Sequence, residues 1–251
     1  MQGIQIQSVS KNFGGVRAVD AVSLDLKEGE IHGLIGPNGS GKTTLLNLLS
    51  GYYSIDEGHI HIDGRPLHTA SVQKRAEQGL ARTFQKPRLL DSMTALDNVM
   101  LGGWNDTESG FLTTALSAPS IRAEEARIRH RAQEILHGIG LGHLIDTVVG
   151  KLDHAERRFL EVARGLCMLP RFILLDEPAG GLTGHEIEQL ANVVTAMRDA
   201  GLGVLIVEHH TDFVFRISDR VTTLNLGKCI ASGSANEVRQ DPEVIRVYLG
   251  A

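Results

Sequence analysis

The chain has 251 residues, 42% of them hydrophobic and 22% charged, with a formal net charge of −5 at pH 7. This is the composition of a globular protein with room for one sizeable α/β core and an appended subdomain, and its acidic balance argues against a general nucleic-acid binder, which carries a basic excess against backbone phosphates. Cys167 and Cys229 form no C-x-x-C and sit in apolar or strand-like stretches, so they read as small buried hydrophobes in a reducing compartment, without a disulfide framework or zinc site.

Met1-Gln2-Gly3-Ile4-Gln5-Ile6 has neither a basic leader nor a long apolar core, and no apolar run approaches the ~18 residues of a membrane span, so work at a membrane is expected to go through another chain. Ile4 and Ile6 alternate with glutamines, and Val22, Leu24 and Leu26 with polar residues, the period of half-buried antiparallel strands. Ile31-His32-Gly33-Leu34-Ile35 predicts a buried strand. It runs into Gly36-Pro37-Asn38-Gly39-Ser40-Gly41-Lys42-Thr43, which satisfies every fixed position of G-x-x-x-x-G-K-[ST], and Thr43-Thr44-Leu45-Leu46-Asn47-Leu48-Leu49 predicts the helix leaving it. Glycines clear side chains so that successive backbone N–H groups converge on phosphate oxygens. Lys42 adds a point charge, the Thr43 hydroxyl can sit on Mg²⁺, and the helix N-terminus adds its dipole. The expectation is a nucleoside triphosphate site contacted by Gly36, Pro37, Asn38, Gly39, Ser40, Gly41, Lys42, Thr43 and Thr44.

His59-Ile60-His61-Ile62-Asp63-Gly64 reads as another alternating strand closed by a turn. His59 and His61 share a face, expected to be a solvated one because no third metal ligand is suggested nearby. From 87 to 169 the texture is helical, and Pro119 and Ser120 open a run in which Ile128, Ala132, Ile135, Leu136 and Ile139 recur at helical spacing. Strands return with Phe172-Ile173-Leu174-Leu175 and Val204-Leu205-Ile206-Val207, continuous apolar runs of the kind found inside parallel sheets. Between them Ile187, Leu190, Val193, Val194 and Met197 form one face of a helix stopped by Gly201. The expected fold class is α/β: a P-loop NTPase parallel-sheet core with an antiparallel β subdomain over 1–86 and 170–251, and an α-helical subdomain over 87–169.

Asp176 directly follows the strand 172–175, where a carboxylate at the strand's C-terminal end can reach the Mg²⁺ on Thr43. Glu177 comes next, with its side chain expected on the other side of the backbone, toward a water in line with the γ-phosphate. With these residues in place, the chain resembles the ATP-binding cassette family over nearly its whole length. The resemblance makes Phe172-Ile173-Leu174-Leu175-Asp176-Glu177-Pro178 the second nucleotide motif with Glu177 as catalytic glutamate. It implies that Gln85, in Arg82-Thr83-Phe84-Gln85, touches Mg²⁺ and the water, that His209 contacts the γ-phosphate, and that Phe13 lies against adenine. ATP and Mg²⁺ are the implied cofactors, and positioning with charge stabilisation is the chemistry the set can supply.

One family element departs. Relatives carry Leu-Ser-x-Gly-Gln or Glu where this chain has Leu152-Asp153-His154-Ala155-Glu156. In the family this signature closes over the ATP of the opposite subunit, through its serine hydroxyl and glycine amide. Asp153 still makes a good N-cap, with Glu156 completing a capping box. A carboxylate ~4 Å from a phosphate, however, brings repulsion of about 4 kcal/mol per charge pair at an effective dielectric of ~20. The expectation is a composite site that turns over poorly through this signature, and hence a heterodimer with a second, related ATPase.

Phe13-Gly14-Gly15, Ala81-Arg82-Thr83-Phe84-Gln85-Lys86-Pro87-Arg88-Leu89, and Asp241-Pro242-Glu243-Val244-Ile245-Arg246-Val247-Tyr248-Leu249-Gly250 look like the ATPases of bacterial importers of branched-chain and other hydrophobic amino acids. Urea and short-amide importers share these strings, and the ATPase of lipopolysaccharide export shares the ending, so both stay as alternatives. The resemblance implies two transmembrane permease subunits, one offering a coupling helix to 87–90, an extracytoplasmic solute-binding protein acting through them, and a peripheral place on the cytoplasmic face of the inner membrane. Solute choice would reside in those other subunits. Two further readings compete: a soluble ATPase acting on nucleic acid or ribosomes, opposed by the acidic balance, and a non-hydrolysing structural subunit, opposed by Glu177 and His209.

Overall fold

The computed structural model describes residues 3–104 and 118–249. Met1, Gln2 and Gly250 of the strings above, and the side chains of Pro119 and Ser120, lie outside the described residues. The chain divides into two compact units, Met1–Arg82 with Arg171–Ala251, and Thr83–Pro170.

The first unit opens with β1 (Ile4–Phe13) and β2 (Val16–Leu26), an antiparallel pair whose inward residues alternate as expected, followed by β3 (Ile31–Ile35) and α1 (Lys42–Ser50). β4 (Glu57–Ile62) pairs with β1, and the turn Asp63-Gly64, both with positive φ, returns the chain into the short β5 (Arg65–Pro66). Then come α2 (Val72–Glu77) and β6 (Leu80–Arg82). Within the second unit, α3 (Ala95–Gly103), α4 (Ala118–Gly138) and α5 (His154–Cys167) pack on one another. Gly102 and Gly103 permit the approach: a Cβ on Gly102 would stand 2.1 Å from the Arg164 carbonyl oxygen, and one on Gly103 2.7 Å from Ile128 Cγ2.

The chain re-enters the first unit with β7 (Phe172–Asp176), α6 (Gly184–Asp199), β8 (Gly203–Val207), α7 (Thr211–Ile217), β9 (Arg220–Asn225), β10 (Lys228–Ser234), α8 (Ala235–Gln240) and α9 (Pro242–Leu249). Among the described residues the strands make two sheets, β2-β1-β4-β5 and β10-β9-β3-β8-β7-β6. In the second sheet β3, β6, β7, β8 and β9 run parallel and β10 closes the edge antiparallel. Every residue of β3, β7 and β8 is buried, which is why these strands carry continuous apolar runs rather than alternation.

One core joins the two sheets: Leu45, Leu46, Leu48 and Leu49 of α1 lie in the same cluster as Ile4, Ile6 and Ile60 of the antiparallel sheet and Leu34, Leu174 and Leu205 of the parallel one. At about 1.5–3 kcal/mol for each leucine buried, α1 is a principal link between the sheets. Its last carbonyls meet a buried cation. Arg75 of α2 donates to the Leu48 and Leu49 oxygens, both at 2.6 Å, and to Ala70 and His68 oxygens at 3.0 and 3.2 Å. Burial brings the Arg75 pKa down to about 10. Cys167 is buried as expected, but Cys229 is exposed, because it lies on the edge strand β10, which has a solvated face. No helix among the described residues is long and apolar enough to cross a membrane.

Candidate active site

The loop from Gly36 to Gly41 is fixed by backbone needs. Gly36, Gly39 and Gly41 have φ of 152°, 78° and 103°. At Gly36 a Cβ would stand 2.2 Å from the Leu224 carbonyl oxygen, and at Gly41 2.5 Å from that of Ala18, so neither position admits a side chain. Ser40 N–H donates to the Pro37 oxygen at 3.2 Å and the Ser40 oxygen accepts from Gly227 N–H at 3.0 Å, which pins the loop to the β9–β10 turn. Gly41 is the N-cap of α1. It places no side chain on the helix's first N–H groups, and the first turn carries no acid, so this end of the dipole faces outward with its donors available to an anion. Lys42 is buried and curls back over the loop, donating from Nζ to the Gly36 oxygen at 2.6 Å and the Pro37 oxygen at 2.9 Å. Burial lowers its pKa, and the charges of Glu177 and Asp176 work against that shift. Asn38 and Thr43 are exposed beside it, and Thr44 is half-buried.

Asp176 ends β7 as a buried carboxylate, and Arg82, at the end of β6, donates from Nη2 to its Oδ2 at 2.9 Å. The same guanidinium donates from Nη1 to Asn47 Oδ1 and Ser50 Oγ of α1, each at 2.7 Å. Arg82 therefore ties the strand end to the helix that carries Lys42 and Thr43. From sequence it is only a letter in a string, since its partners lie far along the chain. Glu177 takes a left-handed φ of 47°, so a turn, not strand alternation, sets the direction of its side chain. Its N–H donates to the Val207 oxygen at 2.9 Å, across to the end of β8. There His209 Nδ1 stands 3.9 Å from Glu177 Oε1 and 3.7 Å from Glu208 Oε2. His209 opens on a cavity of about 480 Å³ between α6 and α7.

The His210 ring lies tilted against that of His209, with ring centroids 4.4 Å apart. His68 joins His59 and His61, with ring centroids 5.4 and 6.0 Å from theirs, a third imidazole that the sequence did not suggest. Even so, no group of three or more His, Cys, Asp or Glu among the described residues could hold a metal ion. Phe13, at the end of β1, is 41% exposed, meets the edge of Tyr53 at 5.2 Å and lies under Lys11 Nζ at 5.6 Å.

Gln85 and the segment Leu152 to Glu156 belong to the second unit. Asp153 is the N-cap of α5, and the capping box is complete: its Oδ1 accepts from Glu156 N–H and Glu156 Oε2 accepts from Asp153 N–H, both at 2.8 Å. Leu152 and Ala155 are buried, whereas Asp153 and His154 are exposed. Further along α5, the buried Glu161 pairs with Arg164 at 2.6 Å, and Arg164 also donates to the Arg88 oxygen. Arg88 in turn stacks its guanidinium on Phe84 at 4.2 Å, so the loop that carries Gln85 is held to the helix behind the signature segment. Burial lifts the Glu161 pKa; Arg164 and the backbone N–H groups of Arg88 and Phe84 oppose it.

A family model described as ABC transporter matches residues 19–180, and one described as branched-chain amino acid ATP-binding cassette transporter matches 228–251. The high-affinity branched-chain amino acid transport ATP-binding protein BraF of Pseudomonas aeruginosa is 34% identical over 98% of this chain and 97% of that protein. LivG of Escherichia coli, of the same description, is 35% identical with the same two coverages. An ATP-binding cassette of an ABC transporter solved in its ADP conformation superposes with a TM-score of 0.87 at 30% identity, over 100% of both chains. The phosphate loop, the strand ending in Asp176 and Glu177, and these matches along the whole chain establish that it belongs to the ABC transporter family, as an ATP-binding cassette.

Proposed function

We propose that the chain is the ATP-binding and ATP-hydrolysing subunit of a bacterial ABC importer for branched-chain or other hydrophobic amino acids. The observation that carries hydrolysis, beyond binding, is the convergence of Glu177, turned by its left-handed backbone, with His209 across the ends of β7 and β8. The names of the relatives favour amino acids over urea, short amides or lipopolysaccharide.

In this reading the backbone N–H groups of Gly39 to Thr43 and the Lys42 ammonium bind the phosphates, and Phe13 offers its exposed ring to adenine. The Thr43 hydroxyl and Asp176 carboxylate are hard oxygen donors that would hold Mg²⁺, and the family resemblance gives Gln85 the same role. Mg²⁺ held by these groups would supply positive charge against that of the phosphates. Arg82 keeps the Asp176 carboxylate oriented. Glu177 orients a water in line with the γ-phosphate and accepts its proton at a carboxylate oxygen, while His209 steadies the γ-phosphate. A second, related ABC ATPase with an intact signature closes over this site. Two permease subunits receive the motion near 87–90, with an extracytoplasmic binding protein delivering solute, and the chain sits peripherally on the cytoplasmic face of the inner membrane.

The test is Glu177→Gln in the assembled complex. ATP should bind and stay bound while turnover falls by about 10²–10⁴; undiminished phosphate release rejects the role of Glu177.

A further inference from the structure

One buried acid beside the site has no part in that scheme. Glu208 follows β8 directly, its residue is 0% exposed, and no lysine or arginine is paired with it among the described residues. Its Oε1 accepts the Ala179 N–H at 2.6 Å and its Oε2 accepts the His209 N–H at 3.1 Å. Its own N–H donates to the Leu34 oxygen at 3.3 Å, near the end of β3 just before the phosphate loop. Burial lifts its pKa, opposed first by the Ala179 amide and then by His209. A carboxylate kept this dry costs stability unless its oxygens are bonded, and here both oxygens are used on backbone that belongs to the reaction.

Ala179 lies two residues beyond Glu177, in the loop that gives Glu177 its direction. His209 is held at its backbone, and its ring Nδ1 also faces the same oxygen at 3.7 Å. We propose that Glu208 is a positioning residue that sets the loop of Glu177 and the ring of His209 as one element, so that the water-orienting carboxylate and the γ-phosphate contact are aligned together. Either side chain alone could swing. One rigid carboxylate between them removes that freedom, in the manner of outer-shell groups that orient a ligand or a base. The proposal rests on the functional reading above for its effect on turnover, but the tie itself is a structural claim.

Two measurements separate these. On the full chain, amide hydrogen exchange at Ala179 and His209 should quicken by about tenfold or more in Glu208→Ala, as expected when a buried hydrogen bond worth over 1 kcal/mol is lost. In the assembled complex, kcat should fall about 10- to 100-fold with the ATP dissociation constant unchanged, and in a His209→Ala background the same substitution should change kcat by less than about twofold, as coupled residues do. Glu208→Gln keeps the volume and one amide acceptor, so it should fold and fall between wild type and Glu208→Ala. Wild-type exchange in Glu208→Ala overturns the tie, whatever the turnover. Losses that multiply undiminished in the His209→Ala background overturn the coupling. If Glu177→Gln hydrolyses normally, the functional reading fails, and the exchange result still decides the role of Glu208.

Discussion

α1 and α5 both begin at a loop that the sequence leads one to expect near phosphate, yet their N-termini are opposites. α1 starts at Gly41, with no side chain over its first N–H groups and no acid in its first turn. α5 starts at Asp153, whose carboxylate takes the Glu156 N–H while Glu156 returns the favour to Asp153. The first end leaves donors and dipole for an external anion; the second satisfies them with charge of its own. With glycine as its N-cap α1 forgoes a side-chain cap at a cost of only about 0.3 kcal/mol, and its stability comes from the other end and from burial. Gly51 closes the C-terminus in a left-handed turn and Arg75 fills the last carbonyls. An open helix end thus coincides with a heavily anchored opposite end, whereas α5 is capped where α1 is not.

Removing the charge at the open end should have the largest effect. Lys42→Met deletes the ammonium and strands the Gly36 and Pro37 oxygens, and at about 1.5–3 kcal/mol for a charged hydrogen bond ATP affinity should fall on the order of 100-fold in calorimetric titration. Affinity within a factor of three of wild type would mean that the α1 terminus binds phosphate without Lys42. At the anchored end, Arg75→Met should cost roughly 3 kcal/mol of unfolding free energy in denaturant titration, because several buried carbonyls lose their donor together. A loss under 1 kcal/mol would show that α1 does not depend on Arg75.

The strand that feeds the open end gives a pH-dependent handle. His32 is buried in β3, its Nδ1–H donating to the Asp25 oxygen at 3.0 Å, which leaves Nε2 to accept from Thr222 Oγ1 at 2.9 Å. Burial, then the Arg220 charge, bring its pKa down to about 4. A depressed histidine is neutral in the fold while the unfolded chain takes the proton, so this stability is complete above about pH 6.5 and is lost as pH falls toward 4. Between pH 7.5 and 5 the loss attributable to His32 should be about 2 kcal/mol, and His32→Gln should remove that slope.

What was legible in the sequence follows from how local each requirement is. The phosphate loop and the α5 capping box are demands that neighbouring residues make on one another, so spacing alone announces them. Arg75, Arg82 and Glu208 act on partners 27, 94 and 29 residues away, and no periodicity marks such pairs. Cys229 lies in a strand-like run, but periodicity does not tell an interior strand from an edge, and β10 is an edge with a solvated face.

The smallest effect is at α5, and it probes the contrast most directly. If the closed end is closed because Asp153 carries its own charge, then a neutral cap should keep the helix and open the terminus. Asp153→Ser with Ala155→Gly retains an oxygen that can accept the Glu156 N–H, so unfolding free energy should change by less than about 1 kcal/mol. If Asp153 faces phosphate as proposed, turnover of the self-paired chain should rise about tenfold, because a carboxylate is replaced by a donor and an unobstructed amide. Asp153→Ala separates the two contributions: it removes the charge and the cap together, should cost about 1 kcal/mol of stability, and should recover only part of the turnover, because no hydroxyl replaces the carboxylate. If the double change gives no gain while the fold is intact, the charge at Asp153 does not limit the site, and the case for a partner ATPase with an intact signature falls with it.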